Sequence, residues 1–271
     1  VLICLVLAIR TPPGQKVTKK SKCLPSASKL PAMPKIALLG YGKMGKAIEK
    51  LAIDAGDEVV LRLNADNKEE LTTKNLQQAD VAIDFSHPQT GFKHITSCFQ
   101  AGVPVVSGTT GWLDQFEEAV SLCEKEAGAF FYASNFSIGV NLFFTLNQRL
   151  AELVKDWPAY QPAMTEIHHT QKLDSPSGTA ISLADDIAAR LTRITGWQEG
   201  ANAPEGRLPI EAIREGDIKG THEIRYTSPV DTITIRHEAH SREGFAKGAL
   251  QAAHWLIGKR GVFGMSDMLG I

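Results

Sequence analysis

From Lys35 onward, apolar and polar positions fall into blocks that switch between two periods. "KIALLG" is a short apolar run and "GYGKMG" a turn of glycines. "KAIEKLAIDAG" then places Ile48, Leu51, Ala52 and Ala55 on one helical face ahead of Gly56. "EVVLRLN" predicts a second strand, "DVAIDFS" a third and "VPVVSGTTG" a fourth, with helices through "TGFKHITSCFQAG" and "LDQFEEAVSLCEKEAG" before a last run, "AFFYASNFSIG". Strands alternating with helices at this spacing predict a parallel sheet covered on both faces.

Beyond Gly139 the rhythm changes. "VNLFFTLNQRLAELVKDW" predicts a long helix, and "SLADDIAARLTRI" another with Ile181, Ala184, Ile187, Ala188 and Leu191 on one side. Residues 196–220, rich in Gly and Pro, read as irregular. "THEIRYTS" and "DTITIRHEAH" alternate with period two, as half-buried strands of an antiparallel or mixed sheet do. "FAKGALQAAHWLIGK" closes the chain as a helix. The pattern is that of an α/β protein: a Rossmann-like, doubly wound parallel sheet, then a second α+β domain with a mixed sheet.

Composition narrows the class. At 271 residues, 43% hydrophobic and 22% charged, the chain has room for one large core or two modest ones. Residues 1–35 hold seven Lys and Arg and no acid, leaving 22 bases against 30 acids beyond them, so no global basic character points to nucleic acid. "VLICLVLAI" is far shorter than the roughly 20 residues of a membrane span. Residues 1–34 are expected to lie outside the fold, as a targeting leader or as sequence upstream of a true start at Met33. Cys98 and Cys123 lack metal or redox spacing and read as buried thiols of a reducing, cytoplasmic compartment.

"GYGKMG" (Gly40, Tyr41, Gly42, Lys43, Met44, Gly45) fits the dinucleotide fingerprint G-x-G-x-x-G in its required context, after a strand and at the start of a helix. Asp66, 21 positions past Gly45, is the candidate for the adenosine ribose, with Asn64 as its competitor. Arg62 and Lys68 are close enough in sequence to serve a ribose phosphate. The strand ends "DFSHP", "SGTTG" and "SNFSIG" are polar or glycine-rich where buried connections would be apolar. Together they suggest a cofactor trough at the sheet's carboxyl edge.

"EIHHTQKLDSPSGTAISL" leads into an amphipathic helix with chemistry gathered at its start. Ser177 can cap, so that Gly178, Thr179 and Ala180 present N–H groups without intrahelical partners, a ready site for a carboxylate. His168, His169 and Lys172 put proton donors and a cation directly ahead of it. No metal is expected: adjacent histidines on an extended segment point to opposite faces, and no carboxylate or Cys completes a set at the usual spacing.

"GYGKMG", "IDFSHP", "SGTTG", "ASNFSIGVN", "EIHHTQKLDSPSGTA" and "HSREGFAKGALQAA", in this order, resemble the 4-hydroxy-tetrahydrodipicolinate (dihydrodipicolinate) reductases of the diaminopimelate route to lysine. The resemblance runs from about Lys35 to the end of the chain. It implies His168 as general acid/base, Lys172 as second proton donor, and His169, Gly178 and Thr179 as substrate contacts. It further implies cofactor contacts from the glycine turn, from Gly108, Thr109 and Thr110, and from Ala133, Ser134, Asn135 and Phe136. The implied cofactor is NAD(P)H and the implied substrate a small cyclic dicarboxylate, in a homotetramer assembled through strands such as residues 222–228 and 231–240. The implied division is 35–139 for dinucleotide binding, 140–240 for substrate and oligomerisation, and 241–271 returning to the first domain. The short connection between the second and third strands, and the lack of a Glu-Arg pair after the second, depart from many members and leave NADH against NADPH open. Alternatives are a reductase of the same plan for another imine or keto acid, and a non-catalytic dinucleotide-binding regulator, which would not need His168 and Lys172 together.

Overall fold

The structure is a computed structural model describing residues 33–271 apart from Arg242; of the leader expected over residues 1–34, residues 1–32 lie outside the described residues. Pro34 is buried and its carbonyl accepts the Glu58 N–H, so sheet hydrogen bonding begins one residue earlier than the sequence reading has it.

The first unit runs β1 (Lys35–Leu39), α1 (Lys43–Ala55), β2 (Glu58–Leu63), α2 (Thr73–Leu76), β3 (Val81–Asp84), α3 (Pro88–Ala101), β4 (Val105–Ser107), α4 (Phe116–Lys125) and β5 (Ala129–Tyr132). The chain then crosses to a second unit: α5 (Ile138–Val154), β6 (Gln161–His168), α6 (Gly178–Arg190), β7 (Trp197–Glu199), β8 (Leu208–Arg214), β9 (Thr221–Thr227) and β10 (Thr232–Glu238). It closes with α7 (Glu243–Leu256), β11 (Gly261–Phe263) and α8 (Met265–Leu269).

Among the described residues there are two sheets. The first has the order β11-β5-β4-β3-β1-β2 and every pairing in it is parallel. β3 is buried along its whole length and β1 from Ile36 on, because helices cover both sides. On one side Ile48 and Ala52 of α1 meet Ile36, Leu38 and Ile83, joined by Ala249 and Ala253 of α7. On the other, Ile95 and Cys98 of α3 and Ala119 and Cys123 of α4 pack on Leu39, Val105 and Phe130. The closing segment thus fills a face of the first sheet and lends it an edge strand.

Two readings of the sequence need correction here. Ala55 is exposed, because the last turn of α1 overhangs the core before Gly56 ends the helix at φ +88°. Residues 196–220 are not irregular throughout: they contain β7, only three residues long, and β8, whose run Pro209 interrupts. β11 and α8 were also not legible, being only three and five residues long.

The second sheet is mixed, ordered β10-β9-β6-β8-β7, with β6 parallel to β8 and antiparallel to β9. Its inner face changes character along the strands. Met164, Ile210, Ile224 and Tyr226 are apolar and pack beneath Phe143 and Leu150 of α5 and Leu183 and Ile187 of α6. Toward the carboxyl end of β6 the same face carries Glu166 and His168, both buried.

α7 docks closely where it passes the turn after β5. A Cβ at Gly248 would collide with the Phe136 carbonyl oxygen, so Gly248→Ala should reverse the usual gain of Ala over Gly in a helix. Urea unfolding should show a loss of about 1–3 kcal/mol; a stabilised variant would mean that α7 does not dock this closely.

Candidate active site

β1 pairs with both β2 and β3, so strand order reverses there and a crevice opens at the carboxyl edge. The glycine turn occupies it. Gly40 has φ +97° and a Cβ there would collide with the Phe85 carbonyl oxygen, while a Cβ at Gly45 would stand 2.6 Å from the Gly40 oxygen. At Gly42 a Cβ would meet nothing within 4 Å, and this residue caps α1 without a side-chain acceptor. The first and third glycines allow the close turn; the second leaves a backbone surface and free helix N–H groups that fit a pyrophosphate. Lys43 and Met44 form the first turn of that helix.

Around it the ribose candidates separate. Asp66 is exposed in a turn where its N–H donates to Asn64 Oδ1 at 2.7 Å and the Asn64 N–H donates to Asn67 Oδ1 at 2.8 Å. Arg62 is held by Glu49, which also accepts from the Tyr41 hydroxyl.

The neighbouring strand ends share one buried carboxylate that the sequence reading did not single out. Asp84 is fully buried and accepts from Ser86 Oγ (2.7 Å), Ser107 Oγ (2.9 Å) and Thr109 Oγ1 (2.6 Å), with His94 Nδ1 at 3.0 Å. Thr109 also accepts the Ser86 N–H, so its hydroxyl is spent behind the trough; Thr110 is exposed. Gly108 leaves room for the Phe85 ring. Beyond β5, Ala133 and Phe136 are buried in the core, whereas Ser134 and Asn135 line an open cleft.

That cleft, of about 810 Å³, joins the two units: Ser134 and Asn135 on one side, and His168, His169, Lys172, Ser177, Gly178 and Thr179 on the other. Lys172 Nζ is bound by Asp174 at 2.7 and 2.8 Å. Ser177 caps α6 by accepting the Ala180 N–H at 3.2 Å, and a Cβ at Gly178 would meet nothing within 4 Å.

Behind the cleft lies a cluster no local spacing announces. Glu166 is directly paired with His222 across β6 and β9, while His168 is opposite Arg214 across β6 and β8. Glu166, His168 and His222 offer ligand atoms within 4.8 Å of one another, so the second histidine beside His168 in this cluster is His222 and not the adjacent His169. The Glu166 carboxylate already takes the Ser177 N–H (3.0 Å) and Arg214 Nη2 (2.9 Å) on Oε1. Burial opposes its ionisation, but the close approach of His168 and hydrogen bonds from Ser177 and Arg214 outweigh this and hold it at about 2. Burial, with help from the neighbouring His168, pushes His222 down to about 4. The period-two spacing of Glu166 and His168 was the one signal the sequence held for this cluster.

A glycine turn at the switch point of a parallel sheet, with a cleft of proton donors and a helix start in the same chain, is the plan of a two-domain NAD(P)H-dependent oxidoreductase. The chain belongs to the dihydrodipicolinate reductase family: the model of the family's N-terminal part matches residues 34–136 and that of its C-terminal part residues 139–269. The 4-hydroxy-tetrahydrodipicolinate reductase of Christiangramia forsetii is 50% identical over 234 residues, covering 86% of this chain and 97% of that one. That of Neisseria meningitidis serogroup A is 36% identical over 230 residues, covering 82% and 84%. The solved structure of dipicolinate-bound dihydrodipicolinate reductase from Paenisporosarcina sp. TG-14 superposes with a TM-score of 0.69 at 25% identity, covering 87% of this chain and 99% of that one.

The two pKa shifts contribute to the acid stability. His222 titrates at about 4 when folded against 6.5 ordinarily, and Glu166 at about 2 against 4.5, so in both cases the unfolded chain takes up the proton first. Their contribution to stability is complete above about 6.5, falls as pH drops toward 4, and falls again between 4.5 and 2. Thermal unfolding of His222→Gln should lose the upper part of this decline; an unchanged slope between pH 6.5 and 4 would refute the assignment.

Proposed function

We propose that the protein reduces the cyclic imine dicarboxylate 4-hydroxy-tetrahydrodipicolinate to tetrahydrodipicolinate with NAD(P)H, in lysine and diaminopimelate biosynthesis. The observation that carries this is the single cleft uniting Ser134 and Asn135, at the carboxyl edge of the dinucleotide-type sheet, with His168, Lys172 and the start of α6. Family membership and the named relatives support the same reading.

Loss of the ring hydroxyl as water leaves a conjugated acceptor, and the bound nicotinamide supplies the hydride. The chain supplies the rest. When the dinucleotide is bound, Gly42 and the first turn of α1 would hold its pyrophosphate, and Ser134 and Asn135 would stand toward its nicotinamide end. His168, with Lys172 as second donor, delivers the proton that completes reduction. The two carboxylates need different compensation: Lys172 and His169 supply charge and hydrogen at one end, and the N–H groups of Gly178 and Thr179 receive the other. Asp174 holds the Lys172 amine over the cleft until a substrate carboxylate competes for it.

On this reading residues 35–139 and 241–271 serve the dinucleotide and residues 140–240 the substrate and assembly. The pairing of β11 with β5 and the packing of α7 on the first sheet support that division. A homotetramer built through the second sheet is supported by its outer face, where β10 stays largely exposed and Arg225, Arg236 and Glu223 form an ion-paired ladder. A cytoplasmic location agrees with two free, buried thiols; no helix among the described residues is long and apolar enough to cross a membrane.

His168→Gln should lower turnover by about a hundredfold to ten-thousandfold while NAD(P)H titration stays near wild type. Unchanged turnover would remove His168 from the chemistry. Gly178→Val adds bulk toward the cleft without a steric conflict inside the protein. It should weaken binding of pyridine-2,6-dicarboxylate by about five- to a hundredfold, the worth of one or two hydrogen bonds, with cofactor affinity little changed. Equal binding to wild type and variant would show that the helix start is not the carboxylate site.

A further inference from the structure

We infer that Glu166, which does not line the cleft, is the positioning residue that sets the geometry of all three working parts of the site, and that its charge keeps the proton of His168 on Nδ1. The inference rests on the assignment of His168 to proton transfer made above.

Each part hangs from this one fully buried carboxylate. Oε2 stands 3.0 Å from His168 Nδ1, within ion-pair reach although short of full hydrogen-bond alignment. Oε1 accepts the N–H of Ser177, the residue whose hydroxyl caps α6 and so exposes Gly178 and Thr179. Oε1 also accepts Arg214 Nη2, and that same nitrogen donates to the Asp174 carbonyl at 2.6 Å, tying down the turn that carries Lys172. His222 closes the group, its Nε2 at 3.2 Å from Ser177 Oγ and 3.7 Å from Glu166 Oε2.

An ionised carboxylate only accepts. Held ionised here, Glu166 requires a proton on whichever imidazole nitrogen faces it, and that is Nδ1. The opposite edge of the ring, Nε2, lies against Gly220, where a Cβ would come within 3.1 Å of it. The ring is therefore gripped at Nδ1 and given space at Nε2, the nitrogen left to exchange a proton with substrate. A charged partner behind the ring also stabilises the imidazolium that proton delivery uses and regenerates.

Glu166→Gln separates this role from plain packing. The amide matches the carboxylate in shape, and its oxygen stays where two donors, Ser177 N–H and Arg214, already converge. Its NH2 must then face His168 Nδ1, donor against donor, so the ring proton leaves Nδ1 for Nε2 or the ring turns. A mutation felt only through packing would not move that proton.

The experiment is nitrogen-15 NMR of the histidine rings, with His168 assigned by difference from His168→Gln, together with steady-state kinetics. Wild type should carry a proton on Nδ1 of His168, Glu166→Gln should lack it, and Glu166→Asp, which keeps the charge, should restore it at least in part. Turnover of Glu166→Gln should fall about ten- to a hundredfold, as for other partners that orient a working histidine, and pyridine-2,6-dicarboxylate should bind more weakly, with NAD(P)H affinity within about twofold of wild type. A neutral His168 protonated only at Nε2 in the wild-type protein overturns the inference without any variant having to fold. So does a folded Glu166→Gln protein with unchanged turnover. If His168→Gln is impaired and Glu166→Gln is not, this inference alone fails; if His168→Gln turns over normally, the assignment beneath it fails.

Discussion

A carboxylate shut away from water has to be ringed by donors, and both halves of this protein are arranged around one. Asp84 ends β3 and Glu166 stands near the end of β6, each fully buried, each at the carboxyl end of a strand interior to its sheet. Asp84 draws in hydroxyls from the turns after β3 and β4 and the imidazole of His94 from α3. Glu166 draws in a helix start, a guanidinium and two histidines. Neither group could be left unpaired at a cost of less than several kcal/mol, so the loops that satisfy them are held as firmly as a core is. Those loops are the walls of the trough and the cleft.

The separation of what was legible in the sequence from what was not follows from range. The glycine turn, the parallel strands of the first sheet, the helix start at Ser177 and the His168–Lys172 string are written within a few residues of one another, and local pattern found each. The partners of Glu166 come from β8 and β9, 48 and 56 residues further along the chain by number, and only strand register brings Arg214 and His222 beside it. Register between distant strands has no local signature. The same holds for β11, whose three residues become a strand because β5 is already there to receive them. β7 and β8 were missed for a different reason: three residues are too few to show a period in β7, and Pro209 interrupts the run in β8.

Within the trough, the structure also sorts residues that the sequence could only group. Ser134 and Asn135 face the cleft while Ala133 and Phe136, one step to either side, belong to the core. Thr110 is exposed, but Thr109 holds Asp84 from behind. A contiguous motif therefore mixes groups able to touch a ligand with groups that keep the first kind in place. Phe136 gains its fixed position from α7, which lies against its carbonyl at Gly248, so the end of the chain braces the edge of the cleft.

The inner face of β6 has one further consequence. Met164 lies in the apolar core beneath α5 and α6, and Glu166 and His168, two and four places on, lie in the polar cluster. Along this strand heat resistance and reactivity are thus assigned to opposite ends. Glu166 and His168 share a network, so double changes there will couple, whereas Pro162 at the far end is about 20 Å from His168 at the rise of an extended strand. A designer seeking a hardier catalyst has an address for each property: the Pro162 end of β6 is the one farther from the cluster, while α6 spans the core and the cleft alike.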